Sequence, residues 1–372
     1  MKENKARVIA FYLPQYHPIP ENDKYWGKGF TEWTNVAKAK PLFRGHYQPH
    51  IPADLGFYDL RLPEVREAQA ELARDAGIEG FCYYHYWFGN GKMLLQKPFE
   101  EVLRLGKPDF PFCLCWANHD WTTKTWVKGS SMVNNTMIAQ QEYLGEQDDI
   151  KHFEYCLRAF KDHRYITIEG KPIFLIYDPL SFPNVKEFMN RWNFLAKKNN
   201  LKGIYFIGVT TGRQSSYKIV TNLGFDGVCH NRRWEAEAKA AGFRFVRRMQ
   251  SLLGWHLGIS LMKYDYNKVV RNYDTPENKL ENCYPVITPG FDRTPRAGRR
   301  AGIYVNSSPK NFKKHVAEVC KSIQDKDDDH RLVFLSAWNE WGEGNYMEPD
   351  LKWGHGYLEA LKSCLLYTSD AA

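Results

Sequence analysis

The sequence predicts a single (β/α)8 barrel of the TIM type with long loops after strands 1 and 6, and three observations carry the prediction. Short apolar runs alternate with amphipathic stretches, a pattern that demands parallel strands joined by helical crossovers. Eight such runs occur within 372 residues, the number and span of a closed barrel with insertions. The first run ends in Leu13-Pro14-Gln15-Tyr16-His17-Pro18, with none of the glycines of a phosphate loop. An open doubly wound sheet is thereby set aside.

The elements follow in order. Strand 1 is Val8–Pro14, and an insertion over 14–60 follows it. A helix over Leu62–Ala76 has Pro63 in its first turn and Gly77 just past its end, the usual placement of both. Strands 2 and 3 are Gly80–Phe88 and Phe110–Asn118, then a helix over Asp148–Asp162. Strand 4, Pro172–Asp178, leads to a helix over Asn184–Lys198 and to strand 5, Gly203–Thr211. Strand 6, Asp226–His230, precedes the second insertion, 231–282. Strand 7, Tyr284–Asp292, a helix over Pro309–Gln324 and strand 8, Arg331–Trp341, complete the set. Residues 7–364 read as one domain. The last eight, 365–372, continue no pattern and read as a non-native tail.

Composition narrows the function. The net charge of +8 is mild and the basic residues are scattered, so no nucleic-acid surface is expected. No apolar run approaches the ~20 residues of a membrane span. Met1-Lys2-Glu3-Asn4-Lys5 opens without a signal-peptide core, and the expected location is cytoplasmic. The eight cysteines lie in apolar stretches and read as buried thiols. Tyr, Phe and Trp number 22, 22 and 12, an aromatic content of 15%. Many stand beside His, Asn or Glu, as sugar clefts require.

A barrel of this type places its site at the C-terminal strand ends. Those ends supply Tyr12, Gln15 and His17; Tyr84, His85 and Tyr86; Trp116, Asn118 and His119; Tyr177 and Asp178; and His230. Glu32 and Trp33 join them from the first insertion. Strand 8 ends in Trp338-Asn339-Glu340-Trp341-Gly342-Glu343-Gly344. Alternation turns Ser336, Trp338 and Glu340 into the barrel, and Gly342 and Gly344 let Glu343 bend back to the same cleft. Two carboxyl groups in unlike surroundings are the apparatus of glycosidic chemistry. The bland alternative has Glu340 paired with an arginine. No His, Asp or Glu cluster has metal-ligand spacing, so neither metal nor cofactor is expected. Asp327-Asp328-Asp329 reads as a solvated turn at the far end of the barrel.

Longer motifs then point to a family. Tyr12 to Asn22, Trp26 to Val36, Tyr83 to Phe88, Cys115-Trp116-Ala117-Asn118, and Asn339 to Gly344 with Glu348-Pro349-Asp350 resemble the WbsX-type glycosyltransferases. That family is also described as glycoside hydrolase family 99-like. The resemblance spans residues 7 to about 364. It implies a retaining, metal-independent endo-α-mannosidase-like barrel acting on an oligosaccharide or polysaccharide. By resemblance Glu340 deprotonates the sugar's own 2-hydroxyl, giving a 1,2-anhydro-sugar, and Glu343 protonates the leaving oxygen. His119 stands where family members often carry Glu. Three functions are weighed: hydrolysis or transglycosylation of a bacterial surface polysaccharide, glycosyl transfer in lipopolysaccharide, O-antigen or capsule synthesis, and non-catalytic glycan binding.

Overall fold

The structure is a computed structural model, and it describes residues 6–123, 136–211, 216–241, 249 and 262–366. Eight strands form the barrel: β1 (Arg7–Tyr12), β2 (Gly80–Trp87), β3 (Phe112–Trp116), β4 (Lys171–Ile176), β5 (Tyr205–Val209), β6 (Gly227–His230), β7 (Cys283–Ile287) and β8 (Leu332–Leu335). Each pairs in parallel with its neighbours. β1 bonds both β2 and β8, which closes the sheet. The expected strands are all present, with ends trimmed by up to six residues, most at the C-terminal ends of β7 and β8.

Glycine and register fix which side chains fill the barrel. A β-carbon on Gly227 would stand 2.6 Å from the Tyr284 ring, so Gly227 faces inward and makes room for Tyr284 and Tyr205. The phenols of those two tyrosines meet at 2.8 Å, and His330 Nδ1 lies 2.9 Å from Tyr284. Below them Arg7 pairs with Glu79 at 2.7 Å. Phe11 packs between Tyr84 and Phe334, with ring centroids 5.4 and 5.5 Å apart. Register neighbours in a parallel sheet share a face, so Cys82 with Cys113 and Tyr84 with Cys115 also line the interior. The pairs Tyr12 with Tyr83 and His85 with Trp116 share the opposite, helix-covered face.

Helices α1 (Pro20–Trp26) and α2 (Glu32–Lys38) lie in the first insertion. Around the barrel run α3 (Pro63–Asp75), α4 (Lys97–Leu105), α5 (Glu146–Phe160), α6 (Val185–Lys198), α7 (Tyr217–Asn222), α8 (Arg233–Ala240), α9 (Tyr266–Val270), α10 (Thr294–Ala297), α11 (Pro309–Ser322) and α12 (Gly356–Leu365). Helix α3 starts on Pro63 as read, and α11 is capped by Ser308 Oγ, which accepts from the Asn311 amide at 3.3 Å. Helix α6 presses the fully buried Trp192 onto Phe174 of β4 at 4.8 Å.

The first insertion covers the C-terminal mouth. His46 and Gln48 hold the Asp292 carboxylate at 2.8 and 2.7 Å, just beyond β7. Of the second insertion, 242–248, 250 and 251–261 lie outside the described residues, while α8 reaches the mouth. Asp329 lies at the far end, against Arg7. The tail boundary needs correction: Leu365, placed in the tail, is buried and is the last residue of α12. Residues 367–372 lie outside the described residues. All eight cysteines are buried, and Cys82, Cys113, Cys115, Cys156, Cys229 and Cys283 are thiols.

Candidate active site

Strand β8 stops at Leu335, short of the Trp341 end that the sequence suggested. The chain re-forms a two-residue antiparallel ladder, Asn339–Glu340 against Asn345–Tyr346, joined through a 3-10 turn over Trp341–Glu343. The Asn339 side chain clasps the end of β1: its Oδ1 accepts from the Leu13 amide at 2.8 Å and its Nδ2 donates to the Leu13 carbonyl at 3.1 Å. Tyr16 donates its hydroxyl to the Asn339 carbonyl and accepts from the Trp341 amide. These bonds fix the turn that carries both glutamates. Gly344 is left-handed at φ +55, and a β-carbon there would stand 2.8 Å from Asp292. Gly342 has a different task, since a β-carbon there would overlap the Glu32 carboxylate.

Three carboxylates converge on one guanidinium. Arg296 of α10 is buried and grips Glu32 in bidentate fashion, Nε to Oε1 at 3.0 Å and one terminal nitrogen to Oε2 at 3.1 Å. Its other terminal nitrogen donates to Glu340 Oε1 at 3.1 Å and to Glu343 Oε1 at 2.6 Å. Both oxygens touch one atom, so they lie no more than about 6 Å apart, short of the ~6.5–9.5 Å separation of inverting glycosidase pairs. Arg293 Nε approaches Glu343 at 3.3 Å, and Arg233 of α8 reaches it at 3.9 Å.

The contacts are unequal, and so are the two acids. Burial, reinforced by the Glu343 charge and opposed by Arg296, pushes the Glu340 carboxyl up to about 7. Burial would raise Glu343 as well, but Arg296, Arg293 and Arg233 outweigh it and hold this carboxyl below its ordinary range. Of the two, Glu340 holds its proton the more tightly. Glu32 is raised by burial, against the pull of Arg296.

Tyrosines wall the mouth. Tyr84, Tyr86 and Tyr177 are half-buried, and the Glu340 charge helps raise the pKa of all three beyond what burial does. Tyr177 packs on Tyr84 at 5.9 Å, and His119 lies 5.5 Å from Tyr177.

Over residues 8–361 the sequence matches the family described as Glycosyltransferase WbsX. The chain belongs to that WbsX family. It is also 34% identical over 368 residues to the protein WxcX of Xanthomonas campestris pv. campestris, strain B100, with 99% of this chain and 50% of that protein covered. The WxcX of strain ATCC 33913 matches equally, at 34% over 368 residues. This WbsX-family chain thus spans about half the length of the curated relatives it matches. Two solved structures share its fold. One is a GH99 endo-alpha-mannosidase of Bacteroides thetaiotaomicron with bis-tris propane, at a TM-score of 0.58 and 15% identity, covering 97% of this chain and 96% of that one. The other is described as a glycoside hydrolase-like protein, with a TM-score of 0.58, 16% identity, and coverage of 98% and 95%.

Several residues read at the strand ends and in the first insertion are buried or spent on contacts within the fold. Tyr12 faces α3 and donates to Gln69 Oε1 at 2.6 Å. Trp116 lies under α5 and α6, against His152 and Phe188, with its indole N–H on the Trp87 carbonyl at 2.9 Å. His85 meets His152 of α5, Nε2 to Nε2, at 2.7 Å. Trp338 packs on Phe81, because the regular alternation ends with β8 at Leu335. Trp341 stacks on Tyr346 at 3.7 Å and donates to Glu348. Trp33 packs on Tyr16, Tyr58 and Trp341, and donates to the Tyr58 carbonyl at 2.8 Å. His17 is buried near Asp59, and burial lowers its pKa to about 4. Asn118 is spent on Tyr143 and the Asp178 backbone, and Asp178 caps the turn at Ser181. His230, next in line after the inward Cys229, faces Asn278 at 3.4 Å. Gln15 is buried, with its amide nitrogen lacking a protein partner.

The fold thus brings together Glu32, Glu340, Glu343, Tyr84, Tyr86, Tyr177 and His119. Sequence reasoning missed the three arginines. The signal was present: Arg233 follows strand 6 closely, and Arg293-Thr294-Pro295-Arg296 follows strand 7. Among the described residues one group has metal-ligand proximity, His85, His152 and Cys156, all within 4.8 Å. The sequence spacing did not foresee it. It lies on the helix side of β2, where burial holds His85 neutral, down to about 3, and lowers His152 as well. A hydrogen bond between two neutral imidazoles accounts for the contact.

Proposed function

We propose that this chain is an enzyme acting on glycosidic bonds of a bacterial surface polysaccharide, by retaining hydrolysis or transglycosylation, with Glu340 and Glu343 as its acid and base. The observation that carries the reading is a carboxyl pair within about 6 Å, split in proton affinity by unequal arginine contacts, at a tyrosine-walled barrel mouth. Near neutral pH one member can give a proton to the leaving oxygen while the other, ionised, accepts one from the attacking hydroxyl. With Arg296 seated on both, Glu340 is the donor. The order implied by resemblance, Glu343 as acid, requires the arriving sugar to take Arg296 off Glu343. Glu32 serves by anchoring the guanidinium, and Tyr84, Tyr86, Tyr177 and His119 meet the sugar. No metal or cofactor enters these steps.

Glycosyl transfer from an activated donor is the second reading, favoured by the trio Arg233, Arg293 and Arg296, a set suited to phosphate oxygens. One experiment separates the two. The protein is incubated with α-linked oligosaccharides and lipid-linked glycans, with and without nucleotide sugars. Glycan shortening or rearrangement without a nucleotide sugar supports the main reading. Product formed only with a nucleotide sugar, with nucleoside diphosphate released, overturns it for transfer. In the first case the pH profiles of Glu340→Gln and Glu343→Gln assign the roles, since loss of the acid removes the alkaline limb.

A further inference from the structure

A second cavity, of about 300 Å³, opens at the same end of the barrel. It lies between the first insertion, the segment after β7 and the segment after the 3-10 turn. Its volume suits one small ligand group. Rings and polar groups both line it: Tyr47, Trp353 and Tyr346 supply rings, and Lys352, His50 and Ser307 supply polar groups. A pyranose presents the same two kinds of surface, an apolar C–H face and a rim of hydroxyls.

The walls are held before any ligand arrives. Asp350 is buried, accepts the Tyr346 hydroxyl at 2.6 Å, and accepts the Lys352 and Trp353 amides. His50 bridges the Tyr346 hydroxyl at 2.6 Å and the Tyr47 carbonyl at 3.0 Å. The Lys352 ammonium lies 4.6 Å from the Tyr47 ring and 4.7 Å from the Trp353 ring, which keeps the two aromatics on one cation. The cavity also adjoins the carboxyl pair. Its wall includes Gly344, the residue after Glu343, and Phe291, whose ring lies 4.5 Å from the Arg233 guanidinium that reaches Glu343.

We infer that this cavity is a remote subsite that binds one pyranose unit of the glycan, beyond the unit held at Glu340 and Glu343. The inference rests on the carbohydrate reading proposed above. A chain lying across the mouth would then be gripped at two points, and longer glycans would bind more tightly than short ones.

The test uses the full chain carrying Glu340→Gln, so that turnover is slowed while glycans bind. The probes are α-linked oligosaccharides of mannose, glucose and rhamnose, two to six units long, with affinity read by calorimetry. Affinity should rise about tenfold from the shortest to the longest form of the recognised sugar, the scale of one aromatic platform. Adding Trp353→Ala should flatten that rise and leave the disaccharide unchanged, while Trp353→Phe should keep most of it. A rise that survives Trp353→Ala, in a protein with an unaltered melting temperature, overturns the subsite and leaves the carbohydrate reading standing. A panel in which no glycan binds overturns both.

Discussion

Arg296 is the residue on which the site turns. Its guanidinium neutralises Glu32 and bridges Glu340 and Glu343 in a buried setting, so truncation strands like charges together. Arg296→Ala should therefore cost about 3–5 kcal/mol, the scale for removing one partner of a buried ion pair, read as a fall in urea midpoint. A loss below about 1 kcal/mol would show that the cluster relaxes freely. Glu348 offers a test of sign. It is buried behind the turn, accepting from Gln69, Tyr58 and Trp341, and burial pushes its carboxyl up to about 7 from an ordinary 4.5. The fold favours its protonated form, so its contribution is full below about pH 4.5 and is lost as the pH rises through about 7. Glu348→Gln should flatten the decline of stability between pH 5 and 8, measured by chemical denaturation. An unchanged slope would place the titration elsewhere.

Glycines and strand faces govern at the scale of elements. The turn that returns Glu343 to the cleft depends on Gly344 for its left-handed φ and on Gly342 for the space filled by Glu32. Gly342→Ala should push Glu32 off Arg296 and lower the urea midpoint by the equivalent of about 1–3 kcal/mol, the usual cost of overpacking. If the alanine variant melts like the parent, the contact is softer than the geometry states. This scale also shows where the sequence was readable. Continuous apolar runs bounded by Gly, Pro and Asp located every strand of the barrel, though not the short strands outside it such as Met262–Asp265 and Gly302–Val305, and Pro63 located the start of α3 within a residue. The facing of individual side chains was not readable. In a strand buried on both sides, aromatic residues fill both faces, so Tyr84 and His85 look alike until Gly227 and the register with β3 set the parity. That is why the sequence pattern alone puts Tyr12, His85 and Trp116 in a cleft they do not line. Beyond Leu335 parity lost its meaning, and Glu340 reached the mouth through the ladder with Asn345, while Trp338 turned to Phe81.

For the whole molecule, closure of the sheet between β1 and β8 brings residues 32, 84, 177, 233, 296, 340 and 343 to one mouth from across the chain. The glutamates were legible because their motif is local. The arginines stand just after strands 6 and 7 in the sequence, but which carboxylates they pair with is set only by that closure. Among the described residues no helix is long and apolar enough to cross a membrane. No metal takes part in the proposed chemistry, so activity should survive EDTA; loss on chelation with recovery on adding a divalent cation would move the transferase reading ahead. The central claim is that Glu340 and Glu343 carry the reaction. It is tested most directly by the turnover of Glu340→Gln and Glu343→Gln on a confirmed glycan, beside their melting temperatures. Each variant should lose at least about 10²-fold in kcat with its fold intact, the scale of a general acid or base. Near-full turnover in both would contradict the account.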